Sequence, residues 1–233
     1  MSAAKSMPQG ERRIRPERRS FTEAQVVDAA LLLLDEGGAA AVSIRAVAGR
    51  LGVNPNAVYT YVASRADLER AVIERVLGAV PLTVLSDPAV EWRSAIIEFA
   101  VELRRRVLEH PAVAALMMTA PMDGAAARDV GEALLTCLAR GGLSPDRRAR
   151  AAYALMVQVI GAIAMEVAET DGRPPLPPES ERIAQRRAAL EEIPAEHWPH
   201  THESRDLMAQ WIGSEQFAWS LRALLNGLAR EGA

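Results

Sequence analysis

Hydrogen-bonding side chains, rather than catalytic ones, are concentrated in the stretch "SIRAVAGRLGVNPNAVYTYV" at 43–62. Asn54 and Asn56 carry amides there, Tyr59 and Tyr61 phenols, and Arg45 a guanidinium, with Arg65 just beyond. An amide at Asn56 presents the paired donor and acceptor that an adenine edge complements, and Pro55 and Ala57 offer apolar contact to a thymine methyl. Hydroxyls and cations such as Ser43, Tyr59, Tyr61 and Arg65 can hold phosphate oxygens. Each group also has a plainer use: Asn54 as a helix cap, Tyr59 as packing on a neighbouring helix, the arginines on a solvated face.

Other chemistry is thinly represented. No Ser-His-Asp order, phosphate-cradling glycine loop or paired-carboxylate pattern stands out, so an enzyme is not expected. His197, His200 and His202 in "HWPHTH" could ligate zinc, but the segment is broken by proline and lacks carboxylate or thiolate partners at fixed spacing. A hydrogen-bonded or solvated loop is the expectation, with no metal or other cofactor. Cys137 is alone, which rules out an intramolecular disulfide and a thiolate cluster.

The elements that must position the polar groups are helical throughout. Aromatic residues are only 4% of the chain while Ala, Leu, Glu and Arg abound, a balance that favours helix over strand. Thr22 with Gln25 forms a capping-box pattern, Phe21 and Val26 a hydrophobic staple, and Val27, Ala30, Leu31 and Leu34 one apolar face. Gly37-Gly38 should end that helix. Ser43 caps a second helix with Ile44, Val47, Ala48 and Leu51 inward, Gly52 supplies a sharp turn, and Asn54-Pro55 opens a third of about eight residues. Ser64 starts a fourth, which runs through Leu77 to Pro81. Three short helices and a connecting one suggest helix-turn-helix, although a packing hairpin shares that spacing.

Beyond Trp92 the pattern predicts helices at about 89–109, 111–118, 123–141, 145–170, 179–192 and 204–231. "TDGRPPLPP" and "IPAEHWPHTHE" should be irregular. The longest apolar run, 154–165, is too short to cross a bilayer and no secretory leader is visible, so a cytoplasmic protein is expected.

Charge is uneven. Residues 1–75 hold 11 Lys/Arg against 9 Asp/Glu, whereas the remainder holds 16 against 21. Much of the positive balance lies in 1–19, which includes "RRIRPERR" and lacks apolar periodicity. This stretch is expected to be a disordered basic arm that either solubilises the chain or touches phosphate.

With "VVDAALLLLDEGG", "SIRAVAGRLGV", "AVYTYV" and "SRADL", residues 21–77 resemble the DNA-binding domain of the tetracycline repressor (TetR) family. Tyr59 matches a near-invariant Tyr of that family's recognition helix, Tyr61 an aromatic or His position, and Arg65 a basic residue opening the fourth helix. Arg45 matches a position from which many members reach guanine. "WRSAIIEFAVELRRRVLEHPAVAALM" and "FAWSLRALLNGLAR" are more weakly similar to the branch typified by the tetracycline repressor itself.

The resemblance implies an all-α fold: a helix-turn-helix domain over 20–80 and a ligand-binding and dimerisation domain over 81–233. It implies a homodimeric regulator on a near-palindromic operator in double-stranded DNA, by family habit a repressor, released by a small-molecule effector. Met117 and Phe99 stand where the tetracycline repressor has a histidine and an asparagine, which argues against tetracycline–magnesium as that effector.

Apolar patterns nominate a pocket from Trp92, Phe99 and Leu103, from Leu116, Met117, Met118 and Met122, and from Tyr153, Met156 and Val157. Arg104 and Glu166 are candidate polar contacts, and plain core is the competing reading for all of these. Dimerisation is expected through 145–168 and 204–230, with Ala151, Ala154, Leu155 and Gly161 on the first helix and Phe217, Leu221, Leu224 and Leu228 on the second. A helical interaction module with no taste for DNA is the rival to this regulator. It differs in expecting no salt-dependent DNA binding.

Overall fold

The computed structural model describes residues 21–230, so the basic arm expected at 1–19 lies outside the described residues. Twelve α-helices and no strand occur among them. The N-terminal four are α1 (Glu23–Ala41), α2 (Ile44–Leu51), α3 (Pro55–Val58) and α4 (Arg65–Leu77). There follow α5 (Thr83–Ser86), α6 (Trp92–Glu109), α7 (Val113–Thr119), α8 (Ala125–Arg140) and α9 (Pro145–Ala168). The described residues end with α10 (Glu179–Glu191), α11 (Pro199–Ala209) and α12 (Ser214–Arg230), the last two separated by a 3₁₀ turn at Gln210–Ile212.

Local hydrogen bonds set the first boundaries as the residue types predict. Thr22 and Gln25 make both halves of the capping box. Ser43 accepts from the Ala46 N–H at 3.1 Å, Asn54 from Asn56 at 2.9 Å and Ser64 from Asp67 at 3.1 Å. Gly52 takes φ 68°, and the Val53 N–H reaches back to the Ala48 carbonyl at 3.0 Å. That closure needs the left-handed conformation glycine adopts without strain.

The regular run of α1 breaks at Gly38 as expected, where φ 66° and ψ −170° are non-helical, and the helical span to Ala41 resumes only beyond that kink. Several expected boundaries shift. α3 is one regular turn rather than eight residues, but helical bonds continue from Tyr59 to Pro55 and from Val62 to Val58. The short α5 carries no periodicity to betray it. α11 begins at Pro199, inside the stretch expected to be irregular, because Pro at a first helical position forfeits no needed N–H. The final helix expected from 204 is interrupted before Gly213, so α12 starts only at Ser214.

α1 packs on α2 and α4, and α2 on α3; the buried faces meet at Val26, Ala30, Leu34, Val47, Ala48 and Val58. Ala48 is 1% exposed, small enough for the crossing helices to close. α4 then runs on to touch α6, α7 and α8, while α9 packs against α6, α7, α8 and α12. α9 is long and apolar enough by itself to cross a membrane, but one face of it is spent on this bundle. One apolar cluster is continuous from α1 through α4 into the bundle, so packing does not break at residue 80.

An ion pair also crosses between the two halves. Asp35 of α1 lies 2.8 Å from the Nδ1 of His110, which caps the end of α6. The bond to the Asp35 carboxylate raises the His110 pKa, outweighing burial, with Glu109 adding to the field. A raised folded value means stability present in full below the unfolded value of about 6.5 and lost as pH climbs through the folded one. Docking of α1 on the α6–α7 corner should therefore loosen as pH rises from about 6.5 through the raised folded value, and Asp35→Asn should abolish the trend. An NMR titration placing His110 at or below its ordinary value would contradict this.

Candidate nucleic-acid interface and effector cavity

α2, the Gly52 turn and α3 hold a polar face out to solvent. Arg45, Asn54 and Asn56 are exposed, Pro55 and Ala57 half-buried, and Val58 fully inside. The alternation arises because Val47, Ala48 and Val58 face the core, leaving their neighbours outside. Residues 21–80 contain five arginines against seven carboxylates. Four of those arginines are paired: Arg50 with Glu36, Arg65 with Glu69, Arg70 with Asp67 and Asp123, Arg75 with Asp28. Arg45 has no hydrogen-bond or ion-pair partner among the described residues, so its planar guanidinium is free to meet a guanine edge. Asn56 uses only its backbone N–H locally, whereas the side-chain oxygen of Asn54 is occupied as the cap.

The predicted phosphate contacts divide. Tyr59 is 53% exposed, with no local partner among the described residues for its hydroxyl, and is available to phosphate. Tyr61 is not free: its hydroxyl donates to the Phe21 carbonyl at 2.6 Å and its ring packs tilted against Phe21 with centroids 5.2 Å apart, pinning the start of α1. A phosphate can only accept, so it would have to displace that bond. Arg65 donates to the Ala39 carbonyl at 2.8 Å and to Glu69 at 2.7 Å, yet its guanidinium is half exposed and has further donors. Ser43 caps α2 through its oxygen and keeps its proton. The N-terminus of α4 is already complemented by Asp67, whose carboxylate accepts from the Ser64 hydroxyl at 2.8 Å.

Inside the bundle a cavity of about 290 Å³ lies between α4, α6, α7, α8 and α9. Phe99, Leu103, Met117, Met122, Tyr153 and Met156 line it as the pattern suggested. Four nominees do not. Trp92 packs under Gly141, where an added Cβ would lie 2.6 Å from the indole; Leu116 is core; Met118 and Val157 are 59% and 52% exposed. In their place stand Leu77 of α4 and Ala127, Val130, Gly131 and Leu134 of α8. Periodicity marks those residues as inward without saying which neighbour they meet.

Arg104 and Glu166 do not reach the cavity. They form a bidentate pair at 2.7 Å, each under a tenth exposed, and Arg182 joins Glu166 at 2.8 Å. Glu179 and Ser214 complete the network, at 3.1 and 2.8 Å from Arg104. Burial pushes the Glu179 carboxyl up, but bonds from Ser214 and Arg104 outweigh it and leave the pKa lowered.

The dimer nominees separate by face. Ala151, Leu155, Phe217 and Leu221 are buried in the protomer's own core, and Leu224 and Leu228 pack against it, so these mark the inner stripe. Ala154 and Gly161 are only partly covered. The exposed apolar stripe is instead Tyr153, Val157 and Met165 on α9, with Trp219 on α12. Near α11, His200 is exposed, 3.9 Å from Glu203, and His197 stacks beside Trp198. No group of three or more His, Cys, Asp or Glu among the described residues is arranged to hold a metal.

A helix pair built to enter a groove, mounted on a helix that also walls a cavity, is the layout of a DNA-binding regulator with a sensor domain. Residues 26–72 match the family described as "Bacterial regulatory proteins, tetR family", and residues 86–231 the "Tetracyclin repressor-like, C-terminal domain". The chain belongs to the TetR family of transcriptional regulators, whose members here are regulators and not enzymes. It is 36% identical over 157 residues to an HTH-type transcriptional regulator of Saccharopolyspora erythraea, covering 65% of this chain and 66% of that one. It is 29% identical to the transcriptional repressor DrrR1 of Streptomyces coeruleorubidus, over 66% of this chain and 56% of the relative. The matched segments thus span less than two thirds of those relatives' lengths. Among solved structures, a possible TetR family regulator from Streptomyces coelicolor A3(2) superposes with TM-score 0.76 at 26% identity, over 89% of this chain and 98% of the other. The Streptomyces coelicolor protein ActR, in complex with (S)-DNPA, shares the fold with TM-score 0.74 at 24% identity, over 91% and 98%.

Proposed function

We propose that the protein is a homodimeric repressor that binds a near-palindromic operator through two α2–α3 units and is released when a small molecule fills the bundle cavity. The observation that carries this reading is the double engagement of α4. Leu77 of α4 lines the cavity, and one turn earlier Glu74 caps the N-terminus of α8, accepting from the Ala126 and Ala127 N–H groups at 2.7 and 3.1 Å. Gly124 makes room for this: a Cβ there would lie 2.0 Å from the Glu74 carboxyl carbon. Arg70 of α4 adds a 2.7 Å pair to Asp123. A ligand that prefers a state with α8 displaced from α4 shifts the population of reading-head orientations.

Arg45 and Asn56 read base edges, while Tyr59 and Arg65 hold phosphate. The exposed residues Val157, Met165 and Trp219 supply an apolar surface for the second copy. The test is selection from a random DNA pool by the purified protein, followed by binding of the winner across a salt series. A palindromic winner with a steep negative salt slope is expected. A dimeric protein that enriches no sequence would return the interaction-module reading.

A further inference from the structure

The chemical class of the effector is written in what the cavity wall lacks. All of the wall is hydrocarbon or thioether, apart from the phenol of Tyr153, which is 66% exposed. The buried charges Arg104, Glu166 and Arg182 satisfy one another away from it. The space opens to solvent at Tyr153 and Met156; a carboxylate or ammonium held deeper than that mouth would lose its water with no counter-charge to replace it, a penalty that a wall built only for dispersion cannot offset. About 290 Å³ is roughly twice the volume of an apolar cavity known to take up benzene.

Gly131 adds an independent sign that the space is held open. It lies on the wall in the interior of α8, where glycine weakens a helix relative to alanine, and a Cβ built there meets nothing within 4 Å. An added methyl would meet no clash, so neither close contact at Cβ nor backbone conformation demands glycine.

We infer that the cavity takes a neutral, fused-ring or similarly compact apolar molecule, with at most one polar group, directed to the Tyr153 hydroxyl, and that it excludes anions and cations of the same size. This rests on the sensor reading above and names its ligand class. The flexible thioethers of Met117, Met122 and Met156 adapt the wall to the ring edge.

The experiment is calorimetry on the full chain with 2-naphthol, 2-naphthoate and naphthylmethylammonium as probes of one shape and three charges, alongside operator binding. Binding of 2-naphthol, with both ions weaker by more than about 100-fold, is expected. Gly131→Leu should fill the cavity and abolish binding of 2-naphthol while circular dichroism and thermal unfolding report a fold at least as stable. Ions that bind within tenfold of the neutral probe, retention of 2-naphthol by Gly131→Leu, or no binding of 2-naphthol would each overturn the inference. Operator binding separates the two readings. A neutral probe that binds but leaves operator affinity unchanged sinks release by ligand and keeps the ligand class. Operator binding by a protein that ignores 2-naphthol sinks the ligand class and leaves the DNA-binding reading standing.

Discussion

Replacing Glu166 by alanine is expected to lower stability by about 3–5 kcal/mol, shifting the thermal midpoint by roughly 6–20 °C. Its carboxylate accepts three N–H bonds, two from Arg104 and one from Arg182, in a site where all three side chains are less than a tenth exposed. Alanine leaves two guanidinium groups buried against Glu179 alone, with the Ser214 hydroxyl and the Ile212 and Pro177 carbonyls as further, uncharged partners. The network joins α6, α9, α10 and the first residue of α12, so its loss should free the α10–α11 hairpin before the reading head. Glu166→Gln keeps the shape and should recover part of the loss. Simultaneous replacement of Arg104, Glu166 and Arg182 by apolar residues of similar volume should recover most of it, because the unpaired charge and not the missing pair is what costs. Denaturant unfolding of the four proteins decides the matter. A loss under about 1 kcal/mol for Glu166→Ala would mean that water reaches the arginines.

The second large effect concerns DNA. Arg45→Ala should cost about 1–3 kcal/mol of operator affinity per half-site and relax sequence preference at one base pair, and Asn56→Ala should act similarly at another. Neither change should disturb folding, since both side chains are exposed and Arg45 has no partner to lose among the described residues. Arg45 stands apart by more than its charge, because the other arginines of residues 21–80 are engaged with carboxylates. Arg65→Ala should differ in kind. It removes the proposed phosphate contact and also the 2.8 Å tie to the Ala39 carbonyl, so affinity should fall evenly across sequences. Selection repeated with each variant tests the assignment. An Asn56→Ala protein with an unchanged consensus would mean that another face of α3 reads the groove.

The reading head was legible in the sequence because its boundaries are made by neighbours. Thr22 and Gln25, Ser43 and Ala46, Asn54 and Asn56, Ser64 and Asp67 each close a hydrogen bond within three residues, so residue type and spacing suffice to place them. Gly52 falls in the same class, since its positive φ is a local demand of the turn. The all-α class and most helices of the bundle follow from apolar residues recurring at i, i+3, i+4, which is again local geometry. The Tyr61 hydroxyl was less transparent. Family resemblance suggested phosphate, whereas its donor is spent on Phe21, forty residues away.

Tertiary packing decided everything that depends on which inward face meets which neighbour. Phe217 and Leu221 repeat as regularly as an interface would, but they close the protomer's own core, and Trp219 between them faces out. Arg104 and Glu166 looked like polar contacts for a ligand, yet they are separated by 62 positions and neutralise each other. The cavity draws on α4 through Leu77 and on α8 through Gly131, residues that carry no chemical signal of their own. A periodic pattern specifies that a side chain leaves water, because burial of apolar area is favourable whatever covers it. It does not specify the cover, which is settled only when long-range contacts between whole helices are made together.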